Sequence, residues 1–246
     1  MAFIGALGAT PSRRGILPFM SLALLRTCLL LGATGAASLS LAAERGTVPY
    51  RMTLMRAAPG RQADLVKAIA ARAAAASQSE RPLVLKHSQG DQWDLLVLTP
   101  APKAGPAEPL ATADLIAWQE DEIVRGPDLA TIEGFLGAGL YHVEMFHALA
   151  GQQNALIRER EMENAYLKAV GRPSNAIFTR DFGASWDSFT IGAYRNWKHY
   201  ALRDDITKEK ALAAAKAAGF ENDDSIGPYL RSLILDHHDT LTTPVR

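Results

Sequence analysis

The chain has 246 residues, 48% hydrophobic and 21% charged, with 26 basic and 26 acidic side chains. Those proportions suit a globular protein and exclude a disordered chain or a multi-span membrane protein. Residues 1–42 carry Arg13, Arg14 and Arg26 and no acid, which leaves 23 basic against 26 acidic residues in the rest. A slightly acidic body argues against nucleic acid as the main partner, because phosphate binding draws on a basic surface.

The first 42 residues read as a secretory signal. A basic start precedes an apolar run from Ile16 to Leu41, and Ser40-Leu41-Ala42 supplies a small-x-small cleavage site. Ser12-Arg13-Arg14-Gly15-Ile16-Leu17 resembles a twin-arginine export motif, whereas Met20–Ala42 alone also makes a complete signal with Arg26 as its basic region. Either start predicts a periplasmic or secreted protein with no stable membrane span after cleavage. The one cysteine, Cys28, falls inside the signal, so the mature chain would have no disulfide, thiol nucleophile or thiolate metal site.

Next comes strand, helix, strand, strand, helix. Tyr50–Ala57 alternates as a strand, and Pro59-Gly60 turns the chain. Residues 61–77 form an Ala-rich helix with Leu65, Ile69 and Ala73 on one stripe. Short strands follow at 83–86 and 93–99, joined by a turn at Gly90-Asp91. A Pro-rich loop spans 100–109, and Thr112 caps an expected helix running to about Arg125.

The same order recurs. Tyr50, Ala57, Gly60, Gln62 and Leu65 coincide with Tyr141, Ala148, Gly151, Gln153 and Leu156 at a constant offset of 91. Gly90-Asp91-Gln92-Trp93-Asp94 matches Gly183-Ala184-Ser185-Trp186-Asp187 at an offset of 93. The second round has a strand at 141–149, a helix at 152–170, strands at 175–181 and 186–193, and a helix at 196–203. Two closing helices are expected at 208–218 and 226–240.

This order and duplication resemble the dimeric α/β-barrel superfamily, which includes antibiotic-biosynthesis-type monooxygenases, stress-responsive barrel proteins and NIPSNAP-like proteins. The resemblance implies an α+β fold in which two tandem ferredoxin-like units, 48–126 and 140–204, close one intramolecular barrel, with a helical extension at 205–246. It implies a central cavity for a small organic ligand in a monomer or a homodimer.

Strand alternation names the residues that would line that cavity. With Tyr50, Met52 and Leu54 assigned to the helices, Arg51, Thr53 and Met55 point inward. The repeat places His142, Glu144 and Phe146 likewise, and Trp93, Trp186, Ser188 and Thr190 join them. His142 and Glu144 lie roughly 7 Å apart on one strand face, a pairing suited to general-base chemistry at neutral pH. Arg180 could hold an anionic group.

His237 and His238 are the candidates for a metal or haem ligand. On the expected helix they would point about 100° apart, which does not suit one ion. His147 falls on the presumed helix-facing side, and the run Arg158–Glu163 reads as a solvated helix face. No phosphate-binding Gly-rich loop, Gly-x-Ser-x-Gly elbow, His-Glu-x-x-His motif or calcium loop is present, so no cofactor is predicted. Three functions stay open: binding or conversion of a small organic molecule in the cavity, a structural or interaction module with a filled barrel, and a haem- or metal-dependent oxidase.

Overall fold

The computed structural model describes residues 47–100, 110–182, 185–202 and 205–246. The expected signal segment with Cys28, most of the Pro-rich loop, and Gly183 lie outside them. Strand β1 (Thr47–Ala57) leads to helix α1 (Gln62–Ala75), then to β2 (Leu83–Gln89), β3 (Leu95–Pro100) and β4 (Ile116–Pro127). The second half runs β5 (Leu140–Ala148), α2 (Gln153–Val170), β6 (Ala176–Phe182) and β7 (Ser188–Tyr194). Three helices, α3 (Trp197–Ala201), α4 (Lys208–Ala218) and α5 (Ile226–Arg231), precede β8 (Ile234–Pro244).

The fold is α+β, a closed barrel of eight strands in the order β1-β3-β2-β8-β5-β7-β6-β4. Every pairing is antiparallel. The halves contribute β4-β1-β3-β2 and β8-β5-β7-β6, joined where β2 meets β8 and where β4 meets β6. Closure removes the free edges that an open sheet would expose.

Two expected helices are strands. Residues 116–127 pair with β1 along its length rather than forming the helix expected from Thr112 to Arg125. The run Gln119–Glu122 is made of helix formers and acids, yet the barrel needs a strand between β1 and β6, and tertiary pairing overrides propensity. Likewise the C-terminal extension is helical only as far as Arg231, and 234–244 is the eighth barrel strand. There the β-branched Thr240, Thr242 and Thr243 favour a strand.

The inward and outward faces are the reverse of the sequence assignment. One apolar cluster takes Tyr50, Met52 and Leu54 from β1, Tyr141, Val143 and Met145 from β5, and Phe189 and Ile191 from β7. It draws on both halves and fills the barrel. Arg51, Thr53, Met55, His142, Glu144, Phe146, Ser188 and Thr190 therefore lie on the outer wall. Met55 packs there with Leu65 and Ile69 of α1, and Phe146 with Leu156 of α2. The cause is physical: both faces of a helix-covered barrel strand are buried, so alternation loses its phase, and a one-residue slip inverts every side chain.

The aspartates that end the two repeated sequence segments, Asp94 and Asp187, make the same bonds in each half. The Asp94 amide donates to Met55 O at 2.8 Å, and the Asp187 amide to Phe146 O at 2.9 Å. The Asp94 carboxylate accepts from the Ala57 amide at 2.8 Å, and that of Asp187 from the Ala148 amide at 2.9 Å. Each aspartate thus fastens a hairpin to the end of β1 or β5 and turns the preceding tryptophan into the barrel. Gly90 adopts φ of 125°, and a Cβ there would lie 2.1 Å from the Asp239 carbonyl oxygen, so only glycine lets this hairpin reach β8.

Candidate functional site

The barrel opens at the end where these hairpins sit. A cavity of about 90 Å³ is lined there by Trp93, Trp118, Trp186, His147, His238 and Glu120, among others. Three of the four tryptophans in the chain are in this set. The volume is below the roughly 300 Å³ usual for drug-sized ligands, so it admits a small molecule or one end of a larger one.

Two histidine–aspartate pairs frame the mouth. Nδ1 of His147 on β5 hydrogen-bonds to Oδ1 of Asp236 on β8. Nδ1 of His238 lies 3.3 Å from Oδ2 of Asp91 in the β2–β3 hairpin, and the two imidazoles meet edge to face at 6.4 Å. When Nδ1 of an imidazole donates to a carboxylate, Nε2 is left as a proton acceptor. The Trp186 ring packs edge-on against Phe189 at 5.0 Å, and Trp93 against His87 at 6.0 Å.

Among the described residues, several buried polar atoms here have no full hydrogen bond within the protein. They are Nε1 of Trp93, Nε1 of Trp186, Nε2 of His87 and both carboxyl oxygens of Glu122. Such groups are costly to bury unpaired, and native structures keep few of them. Glu122 is 2% exposed on the inner face of β4. Its pKa is pushed up to about 9, first by burial and then by Glu120, while Trp186 and Arg180 pull it part of the way back. At neutral pH it is a neutral acid able to donate a hydrogen bond.

A second polar cluster lies on the outer wall beneath α2. Nε2 of His142 meets Oδ1 of Asp239 at 2.7 Å, and Nε2 of His237 lies 3.1 Å from Oδ2 of the same aspartate. Oε1 of Glu144 is 4.0 Å from His237 Nε2, and its Oε2 is 3.5 Å from Arg160 of α2. Arg160 also binds Glu159 at 2.6 Å and Glu163 at 2.7 Å. Its guanidinium stands 5.1 Å from the centre of the Phe146 ring, on which His237 also stacks. Burial raises the Glu144 pKa to about 7 against the pull of Arg160. The hydrogen bond from His142 holds Asp239 below its ordinary value.

The expected site residues thus divide. Trp93 and Trp186 do line the cavity. His142 and Glu144 come together, but outside the barrel. Thr53 is buried on the outer wall and donates to Asp121 at 2.6 Å, and Arg51 shares that wall. Ser188 is buried beside Phe146, and Arg180 is held by Asp187 at 3.0 Å. His237 and His238 stand on opposite faces of a strand, one in each cluster, rather than side by side on a helix. His147 faces the mouth, not a helix, and Glu159 and Arg160 are buried rather than solvated. Trp118, Glu120 and Glu122 are hidden in the sequence because their strand reads as a helix; the alternation Trp118, Glu120, Glu122, Val124 is the signal of their common face.

No protein-family model and no curated protein matches the sequence. Among solved structures, an anthrone oxidase-like protein superposes with a TM-score of 0.55 at 11% identity, covering 83% of this chain and 93% of that one. A Lactobacillus acidophilus protein provisionally assigned as a monooxygenase gives 0.49 at 6% identity, over 81% of this chain and 95% of that one. The first likeness is one of fold: both chains form an α/β barrel.

Proposed function

We propose that this chain is an exported protein that binds, and converts without a nucleotide cofactor, a small flat organic molecule at its barrel mouth. The observation that carries the reading is the set of buried polar atoms of Trp93, Trp186 and Glu122, none with a full hydrogen bond within the protein, two of them from tryptophans that wall the cavity. Two indole N–H groups and a protonated carboxyl would hold ligand oxygen, and the rings would cover its faces. His147, fixed by Asp236, is the base that takes a proton from an acidic hydroxyl or C–H of the ligand. One chain supplies all eight strands, so the site needs no partner subunit. An oxygen-bearing aromatic ligand also agrees with the name of the anthrone oxidase-like protein. The equal strand orders and equal aspartate bonds support two tandem ferredoxin-like copies in one chain. The N-terminal composition supports export to the periplasm or beyond.

Titration of tryptophan fluorescence with anthrone and 1-naphthol tests the reading, because three of the four indoles line the cavity. Saturable quenching that Trp186→Phe weakens at least about tenfold, by loss of one desolvated donor, is expected. His147→Ala should keep the ligand and lose roughly a hundredfold in turnover. No quenching by either probe at millimolar concentration would sink the proposal.

A further inference from the structure

We propose that His142, Glu144 and Asp239, with His237 beside them, bind a divalent first-row transition-metal ion on the outer wall of the barrel beneath α2. Ligand atoms of His142, Glu144 and Asp239 all lie within 4.8 Å of one another. An ion held at about 2.0–2.2 Å needs its tetrahedral ligands roughly 3.4 Å apart, so small side-chain rotations suffice. The two oxygens of Asp239 already face two different imidazole nitrogens, at 2.7 and 3.1 Å. A metal would replace the proton shared by His142 Nε2 and Asp239 and release it to solvent.

Charge points the same way. Of four acidic groups here, Glu144, Glu159 and Glu163 share one guanidinium, Arg160, and Asp239 stands against the two imidazoles. Arg160 is spread over three of them and does not reach Asp239 in any of these pairs. The surroundings also restrain the ligands as outer partners of metal sites do. Arg160 approaches Oε2 of Glu144 and leaves Oε1 toward His237, Phe146 stacks on His237, and Tyr200 packs on His142 at 5.6 Å. Imidazole nitrogen with carboxylate oxygen selects zinc, manganese, iron, cobalt or nickel over calcium and magnesium.

The site is separate from the barrel mouth, and so is its test. Zinc sulfate titrated by calorimetry into the full chain, after chelator treatment, should bind at one equivalent, and cobalt chloride should give visible ligand-field absorption. His142→Ala and Asp239→Ala should each lower zinc affinity at least about tenfold. His142→Gln, checked for folding by circular dichroism, guards against a merely misfolded variant. His238→Ala, at the mouth, should leave zinc affinity unchanged. No binding by the wild-type chain at 1 mM zinc, or binding that survives His142→Gln and Asp239→Ala, overturns the proposal. So does binding that depends on His238 instead, which would move the metal to the mouth.

Discussion

The two long helices α1 and α2 rest on different walls of the barrel. Beneath α1 the contact is apolar: Met55, Val84, Leu95 and Val97 meet Leu65 and Ile69. Beneath α2, Phe146 and Leu156 share the wall with buried Glu159 and Arg160 and with Glu144. Matched positions differ in kind. Thr53 of β1 stands opposite Asp121 of β4, where Glu144 of β5 stands opposite Asp239 of β8. Apolar burial alone can seat a helix on this barrel, as α1 demonstrates, so the ionic wall under α2 is not required for the fold. Buried ionic networks add little net stability and are costly to break, which is why that wall reads as chemistry.

The largest effect expected from this contrast comes at Arg160. Arg160→Leu leaves Glu159 and Glu144 buried without their cation, and urea denaturation at pH 7 should show a loss of about 3–5 kcal/mol. Met55→Ala, beneath α1, removes only packing and should cost about 2–4 kcal/mol. An Arg160→Leu protein as stable as wild type would mean the two walls are energetically alike.

An effect smaller at any one step of pH is expected at Glu122, inside the barrel. Its folded pKa of about 9 stands above the ordinary 4.5, so between those values the folded chain holds a proton the unfolded chain has lost. The stabilisation from this group is complete below about 4.5 and is lost as pH rises through about 9. Glu122→Gln should flatten the decline in stability across that window by about 1 kcal/mol per pH unit. A variant with the wild-type slope would show that Glu122 is ionised in the folded protein at neutral pH.

Much of the architecture was legible in the sequence because most elements carry local signals. Helix α4 ends at Gly219 as expected, and α2 at Gly171, both glycines in the left-handed region. What failed was the phase of the strands and the identity of β4 and β8. Tyr50, Met52 and Leu54 alternate with Arg51, Thr53 and Met55, and Met55 is as fully buried as Met52. Nothing local distinguishes which set meets α1 and which fills the barrel. The site follows the same rule: Trp93 and Trp186 stand out through the matching Gly-x-x-Trp-Asp sequences, while the alternation of β5 puts His147 on the helix side and the structure puts it at the mouth. Glu122 was hidden because a buried acid on a strand looks, in one dimension, like an exposed acid on a helix.

The smallest effect tests where the halves agree rather than differ. Asp94 and Asp187 each accept a backbone N–H at the end of a strand, from Ala57 and Ala148. Replacing either by alanine orphans that amide, at a cost of about 1–2 kcal/mol. The side-chain partners differ, Gln62 for Asp94 and Arg180 for Asp187, but both belong to residues partly exposed to water and add little. The two losses, read from urea midpoints, should therefore agree within about 0.5 kcal/mol. Asn variants, which keep an acceptor oxygen, should recover most of each loss. Each variant should also blunt the fluorescence response at the mouth, because the aspartate sets the tryptophan before it. A loss confined to one half would mean that the two aspartates share their bonds without sharing a task.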